Sequence, residues 1–261
     1  MIVLNFHRVE NPTGLEINRL SQKRLRQLLD VVDDSGLSVG KPGRDPLKIM
    51  PEVLITFDDG FASITESALP QLHDRGWGAV IFLISGFVGR SDDWDVRALG
   101  RRRPLMAWSQ AKEWSDAGFV FGSHTRTHRD LTALSATQLK HELVDSKSEI
   151  EDAVGREATL LSYPFGRNDE RVRDAARDAG YDAAFAVTGE SGDRFAIPRV
   201  NVHALLTTGE LRRILTDNPL PSWRTRLFTS LSAGSATVSN WRGARSTSDS
   251  IERTAARVVV S

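Results

Sequence analysis

Short apolar runs recur along this chain, and each ends in a polar turn. Residues 2–6, 53–57, 79–84, 119–122, 159–163, 183–187 and 199–202 read as strands. Helical periodicity fills the gaps. Leu25, Leu28, Leu29 and Val32 share one face of a helix over 21–35, with Gly36 as its stop. Residues 63–75 read as a helix interrupted by Pro70, and 108–117 as a short one. Ser135-Ala136-Thr137-Gln138 is a capping box, opening a helix that carries Leu139, Leu143, Ile150 and Val154 up to Gly155. Asn168 is the predicted cap of a helix that runs to Ala179 and closes at Gly180. Such alternation argues for parallel β/α units. Seven strands suggest a barrel one short of eight, with an open doubly wound sheet as the alternative.

Polar clusters sit just past these strand ends. His7 follows the first, Asp58-Asp59-Gly60 the second, His124 and His128 the fourth, and Tyr163-Pro164-Phe165-Gly166 the fifth. In a parallel barrel those ends share one face, so residues distant in sequence converge there. Adjacent carboxylates repel and call for a cation or a proton between them. Two histidines four residues apart can face the same way if the segment turns helically. Two imidazoles and one carboxylate make the ligand set of an open catalytic zinc site.

Composition narrows the chemistry. The 261 residues allow one large domain or two small ones, and 34 basic residues balance 34 acidic ones. No bulk charge points to nucleic acid. Without cysteine, any metal is held by His, Asp or Glu. The first residues read as a strand and not as a signal peptide, and no apolar stretch reaches a membrane span, so the expected location is cytoplasmic. A composition shift divides a barrel over 1–205 from an extension over 206–261. That extension holds eight arginines and four acidic residues, with short helices expected at 211–215 and 223–231. It reads as a packing helix followed by a flexible tail, with peripheral membrane contact as the sharper alternative.

The motifs resemble those of the polysaccharide deacetylases, carbohydrate esterase family 4. T-F-D-D-G stands at Thr56 to Gly60, H-[ST]-x-x-H at His124 to His128, and P-[YF]-G at Pro164 to Gly166. The opening Leu4-Asn5-Phe6-His7-Arg8-Val9 is similar to the L-x-Y-H-x-V first strand of one bacterial branch. The resemblance spans about 2–202 and implies a distorted (β/α)7 barrel. It also implies metal-dependent removal of N-acetyl groups from an amino-sugar glycan. Asp59, His124 and His128 would bind a divalent metal, zinc by expectation, and Asp58 would be the general base. His7 would be the general acid, with His203 as the alternative. The Phe165 N–H would hold the oxyanion, and Tyr163 and Phe165 would line the sugar cleft. The arginine usual before the third motif is absent, with Ser162 nearest its place. Arg199 is the candidate to replace it at Asp58, and Arg167 a weaker one. Ser123, Thr125 and Thr127 are candidates to orient the metal ligands. His73 and His141 are read as surface residues.

The long loop over 85–106 carries Trp94, Arg101, Arg102 and Arg103, which would suit a sugar or an anionic glycan. Competing functions are hydrolysis of a small cyclic amide or ureide, and a non-catalytic glycan-binding module. A two-carboxylate glycosidase fits poorly, because adjacent Asp58 and Asp59 cannot flank a glycosidic bond.

Overall fold

Strands rich in Val, Ile, Leu and Phe have no face to offer water. The computed structural model describes residues 1–10, 18–92, 102–187 and 192–216. In it β1 (Ile2–Phe6), β2 (Val53–Phe57), β3 (Val80–Leu83), β4 (Val120–Ser123), β5 (Leu160–Ser162) and β6 (Ala183–Ala186) are buried almost throughout. Two shorter strands, β7 (Ile197–Pro198) and β8 (Val200–Asn201), flank Arg199. All pair in parallel, in the order β8-β1-β2-β3-β4-β5-β6-β7. β7 and β8 are one stretch of chain interrupted at a single residue. Its first half pairs with β6 and its second half with β1. The sheet therefore comes round to a distorted (β/α)7 barrel, and the open doubly wound alternative is excluded. The strand expected over 199–202 is instead split, and Arg199 at the break turns its side chain into the barrel.

Alternation along the strands sorts residues between the helix-facing side and the barrel interior. Leu4, Phe6, Val53, Ile55 and Phe57 pack outward among the helices. Val3, Leu54, Val80, Phe82, Leu160, Ala183 and Phe185 form a cluster that fills the barrel interior. Two residues on from Val3 and Leu54 come Asn5 and Thr56, both buried and polar. Two further on come His7 and Asp58. On β4 the same step leads from Gly122 to His124. A side chain at Gly122 has no room, since a Cβ would lie 2.6 Å from the Leu160 carbonyl oxygen. The strand period thus raises the polar groups from an apolar floor to the C-terminal mouth.

The helices frame this mouth. α1 (Gln22–Asp34) is capped by Ser21 and buries Leu25, Leu28, Leu29 and Val32. Pro70 stands in the first turn of a new helix, so the predicted single helix is two, α2 (Ser63–Ser67) and α3 (Leu69–His73). α4 (Trp108–Asp116) follows the long loop. The capping box opens α5 (Ala136–Lys140), which continues through a wide π-turn over His141–Asp145 into α6 (Ser146–Val154). α7 (Glu170–Asp178) is capped by Asp169 and not by Asn168, because the Asp169 carboxylate accepts from Val172 N–H. α8 (Thr208–Leu215) packs on α1. Trp94, Arg101 and everything from residue 217 lie outside the described residues, including the helix expected over 223–231 and the membrane contact expected of the tail. No helix among the described residues is long and apolar enough to cross a membrane.

Candidate active site

The Asp-Asp-Gly turn begins in register. Asp58 N–H donates to the Phe6 carbonyl at 2.9 Å. Asp59 (φ 70°) and Gly60 (φ 71°) are then both left-handed, which reverses the chain at once. An L-residue at position 60 would hold a left-handed φ and place its Cβ 2.5 Å from Leu83 Cδ2, so glycine is favoured there. Asp58 is left buried in the mouth, and Asp59 half-buried at its edge.

Arg199 grips Asp58 from the far side of the barrel seam. Its Nη1 and Nη2 donate to Oδ1 and Oδ2, both at 2.8 Å, and Nη2 also donates to Ser162 Oγ at 2.8 Å. The guanidinium lies against the rings of Phe82 and Phe185. Asn5 completes the assembly. It donates to Asp58 Oδ2 and Asn201 Oδ1, and accepts from Arg199 Nη1 and Thr56 Oγ1. Both amide hydrogens and both carbonyl lone pairs are used. Burial alone would raise the Asp58 pKa. The Arg199 charge, the nearby imidazoles and the hydrogen bonds override it and hold the carboxyl far below the usual range. Asp58 is therefore an ionised carboxylate across the working pH range.

His124 and His128 face Asp59. Their Nε2 atoms lie 3.6 and 3.8 Å from Asp59 Oδ1. One ligand atom from each of the three residues falls within 4.8 Å of the others. His124 Nδ1 is 2.7 Å from the Ser162 carbonyl, which can only accept. That nitrogen therefore carries the proton, and Nε2 presents its lone pair to Asp59. Burial pushes both imidazoles below their ordinary pKa, so both are neutral, as metal ligands must be. Bonds of about 2.0–2.1 Å to a tetrahedral ion would separate ligand atoms by about 3.3–3.5 Å, close to the two His–Asp59 distances. The three residues fit a divalent metal.

The other candidates separate. His7 lies close enough to Asp58, His124 and Arg199 to feel their charges. Burial lowers its pKa to about 4, against the pull of Asp58. Phe165 is half-buried and left-handed (φ 58°), and its ring meets that of His128 edge-on at 4.8 Å. Tyr163 is not at the cleft. It is fully buried, packed among Leu161, Val172 and Ala184, with its hydroxyl on the Phe195 carbonyl at 3.0 Å. The reason is alternation: Phe165 reaches the site through a turn, and the preceding strand sends Tyr163 outward. Arg199 contacts the carboxylate and is buried away from any substrate. Arg167 pairs with Asp130 at 2.7 Å and not with Asp58. His203 is buried and accepts from Leu205 N–H. Sequence reasoning missed Asn5 and Glu142. A lone Asn inside the apolar run of β1 was the available signal for the first.

Residues 48–184 match the sequence profile of the polysaccharide deacetylases. The chain belongs to the polysaccharide deacetylase family. It is a carbohydrate deacetylase, and so a hydrolase. YxkH of Bacillus subtilis, which carries a polysaccharide deacetylase name, is 29% identical over 213 residues, covering 77% of this chain and 70% of YxkH. The peptidoglycan-N-acetylmuramic acid deacetylase PdaA of the same organism is 27% identical over 135 residues. That alignment covers 51% of this chain and 45% of PdaA. Among solved structures, IcaB of Ammonifex degensii superposes with a TM-score of 0.66 at 23% identity, covering 82% of this chain and 95% of IcaB.

Proposed function

We propose that this deacetylase hydrolyses the N-acetyl group of an amino-sugar glycan, with one divalent metal held by Asp59, His124 and His128. The observation that carries this reading is the pairing of a three-ligand cluster with a second carboxylate that stays charged. Zinc suits the donor set of two nitrogens and one oxygen. When bound, such an ion supplies Lewis-acid polarisation and makes a neighbouring water acidic. PdaA, by its name, acts on an N-acetylated sugar, which supports the substrate class.

The protein's own groups do the rest. Asp58 takes the proton of the attacking water, and the guanidinium of Arg199 keeps it ionised for that task. The backbone N–H of Phe165, a residue held in a left-handed turn, stabilises the oxyanion of the tetrahedral carbon. His7 protonates the departing amine. His7 rests neutral, so the proton it delivers to the amine is the one Asp58 took from the attacking water. The ring of Phe165 walls the pocket next to His128.

The test is acetate release from N-acetylglucosamine oligomers and from peptidoglycan fragments, alongside metal analysis. Chelation should abolish turnover, and zinc should restore it. Undiminished activity in chelated protein would overturn the metal. Turnover of a cyclic ureide with none of any glycan would overturn the substrate class.

A further inference from the structure

The loop that carries both imidazoles is strained. Thr125 (φ 66°) and His128 (φ 59°) are left-handed without being glycine, a conformation costing on the order of 1–3 kcal/mol each. Such a loop keeps its shape only if its surroundings over-determine it. One helix supplies most of that restraint. Glu142, Ser146 and Glu149 stand at i, i+4 and i+7 and face the loop together. The Ser146 hydroxyl bonds that of Ser123 at 2.7 Å, which in turn accepts from Thr125 N–H. Glu149 accepts from Arg126 Nε at 2.8 Å and from Ser85 Oγ at 2.6 Å.

Glu142 is the central member. Its Oε2 accepts the consecutive backbone N–H groups of Arg126 and Thr127, at 2.9 and 2.8 Å, and its Oε1 accepts the Thr127 hydroxyl. These are the residues between the two imidazoles. Glu142 is itself buried, and the helix is widened into a π-turn over the stretch that contains it. Such widened turns recur at functional sites. No other side chain among the described residues accepts these two N–H groups.

We propose that Glu142 is a positioning residue for the metal. It touches neither ligand, but fixes the segment that spaces His124 and His128. This inference rests on the metal reading above. Removing Glu142 leaves two part-buried N–H groups without this acceptor, and the strained backbone relaxes by swinging His128 away from Asp59.

The experiment is zinc affinity of the full chain by competition with a chromophoric chelator, plus the visible spectrum of the cobalt(II)-loaded protein. Glu142→Leu should weaken zinc by about 10–100-fold, the usual penalty for losing an outer partner of a metal site, and alter the cobalt bands. Glu142→Gln retains a carbonyl oxygen for the two N–H groups and an NH2 group for Thr127, so it should stay near the parent. Should the leucine variant not fold, Thr127→Val removes one bond of the three. It should weaken zinc about two- to tenfold, as one hydrogen bond is worth. A leucine variant, or failing that a valine variant, with parent affinity and parent cobalt spectrum overturns the proposal alone. A parent chain that binds no zinc overturns the metal reading and this inference with it.

Discussion

Arg199 holds both oxygens of Asp58 at 2.8 Å from the one residue at which the closing strand is broken. The strand is interrupted at that one residue, which places a buried cation beside a buried anion. Breaking such a pair from one side typically costs about 3–5 kcal/mol. Arg199→Ala should lose that much in urea unfolding, and its acetate release should become sensitive to mild acid. Arg199→Lys should recover only part of either, because one ammonium cannot fork to two oxygens. Parent-like stability in Arg199→Ala would show that the pair is structurally idle.

Asp58→Asn should cut turnover by about 10²–10⁴-fold, the range for loss of a general base, while keeping its metal. It should also lower stability, since the Arg199 charge is left facing a neutral amide. Adding Arg199→Met should restore stability and not activity. Recovery of both together would place the base elsewhere.

The buried imidazoles set an acid limit on the chelated protein. His7 has a folded pKa of about 4, against about 6.5 unfolded. Between those values the unfolded chain binds a proton that the native chain does not, so stability falls as pH drops through this window. His124 and His128, also lowered, act in the same sense. Asp58 is also lowered, from the carboxylate range, so its contribution acts in the same sense but is lost only at still lower pH. Unfolding midpoints of the chelated protein should decline from about pH 6.5 toward 4, and His7→Gln should flatten part of that slope. A flat profile in the parent would mean that these histidines are protonated in the fold.

His7→Ala should reduce acetate release and leave metal content at the parent level, whereas His124→Ala and His128→Ala should lose the metal. If His203→Ala shows the activity loss instead, the acid role belongs there.

Tyr163→Phe separates packing from substrate contact. Losing the bond to the Phe195 carbonyl should cost about 0.5–1.5 kcal/mol of stability. KM should not move. A raised KM with unchanged stability would return Tyr163 to the cleft.

Most of the barrel was legible because its strands are apolar runs that end in polar turns, and that pattern survives without tertiary information. Asp58, Asp59, His124 and His128 were legible for the same reason, each lying at the end of such a run. The split at Arg199 was not, because which neighbour each half of the last strand pairs with depends on barrel curvature. Asn5 was hidden by its own setting, since one polar residue within an apolar strand does not disclose its partners. Glu142 was hidden differently: the helix pattern points to Leu139, Leu143, Ile150 and Val154, and periodicity alone does not disclose which loop a polar residue on the neighbouring stripe meets. Tyr163 was misplaced because its motif neighbour Phe165 reaches the site only through a left-handed turn.

The seam of the barrel also bears on how the enzyme matures. Asn5 and Asn201, hydrogen-bonded across it, are 196 residues apart in sequence. Contacts of such long range are among the last to form as a chain folds, because the loop between them must close first. Arg199 reaches Asp58 only when this seam closes. A nascent or partly folded chain can have its first six strands in place and still lack the cation that holds Asp58 ionised. The buried Asp58–Arg199 pair is therefore complete only once the two ends of the barrel have met.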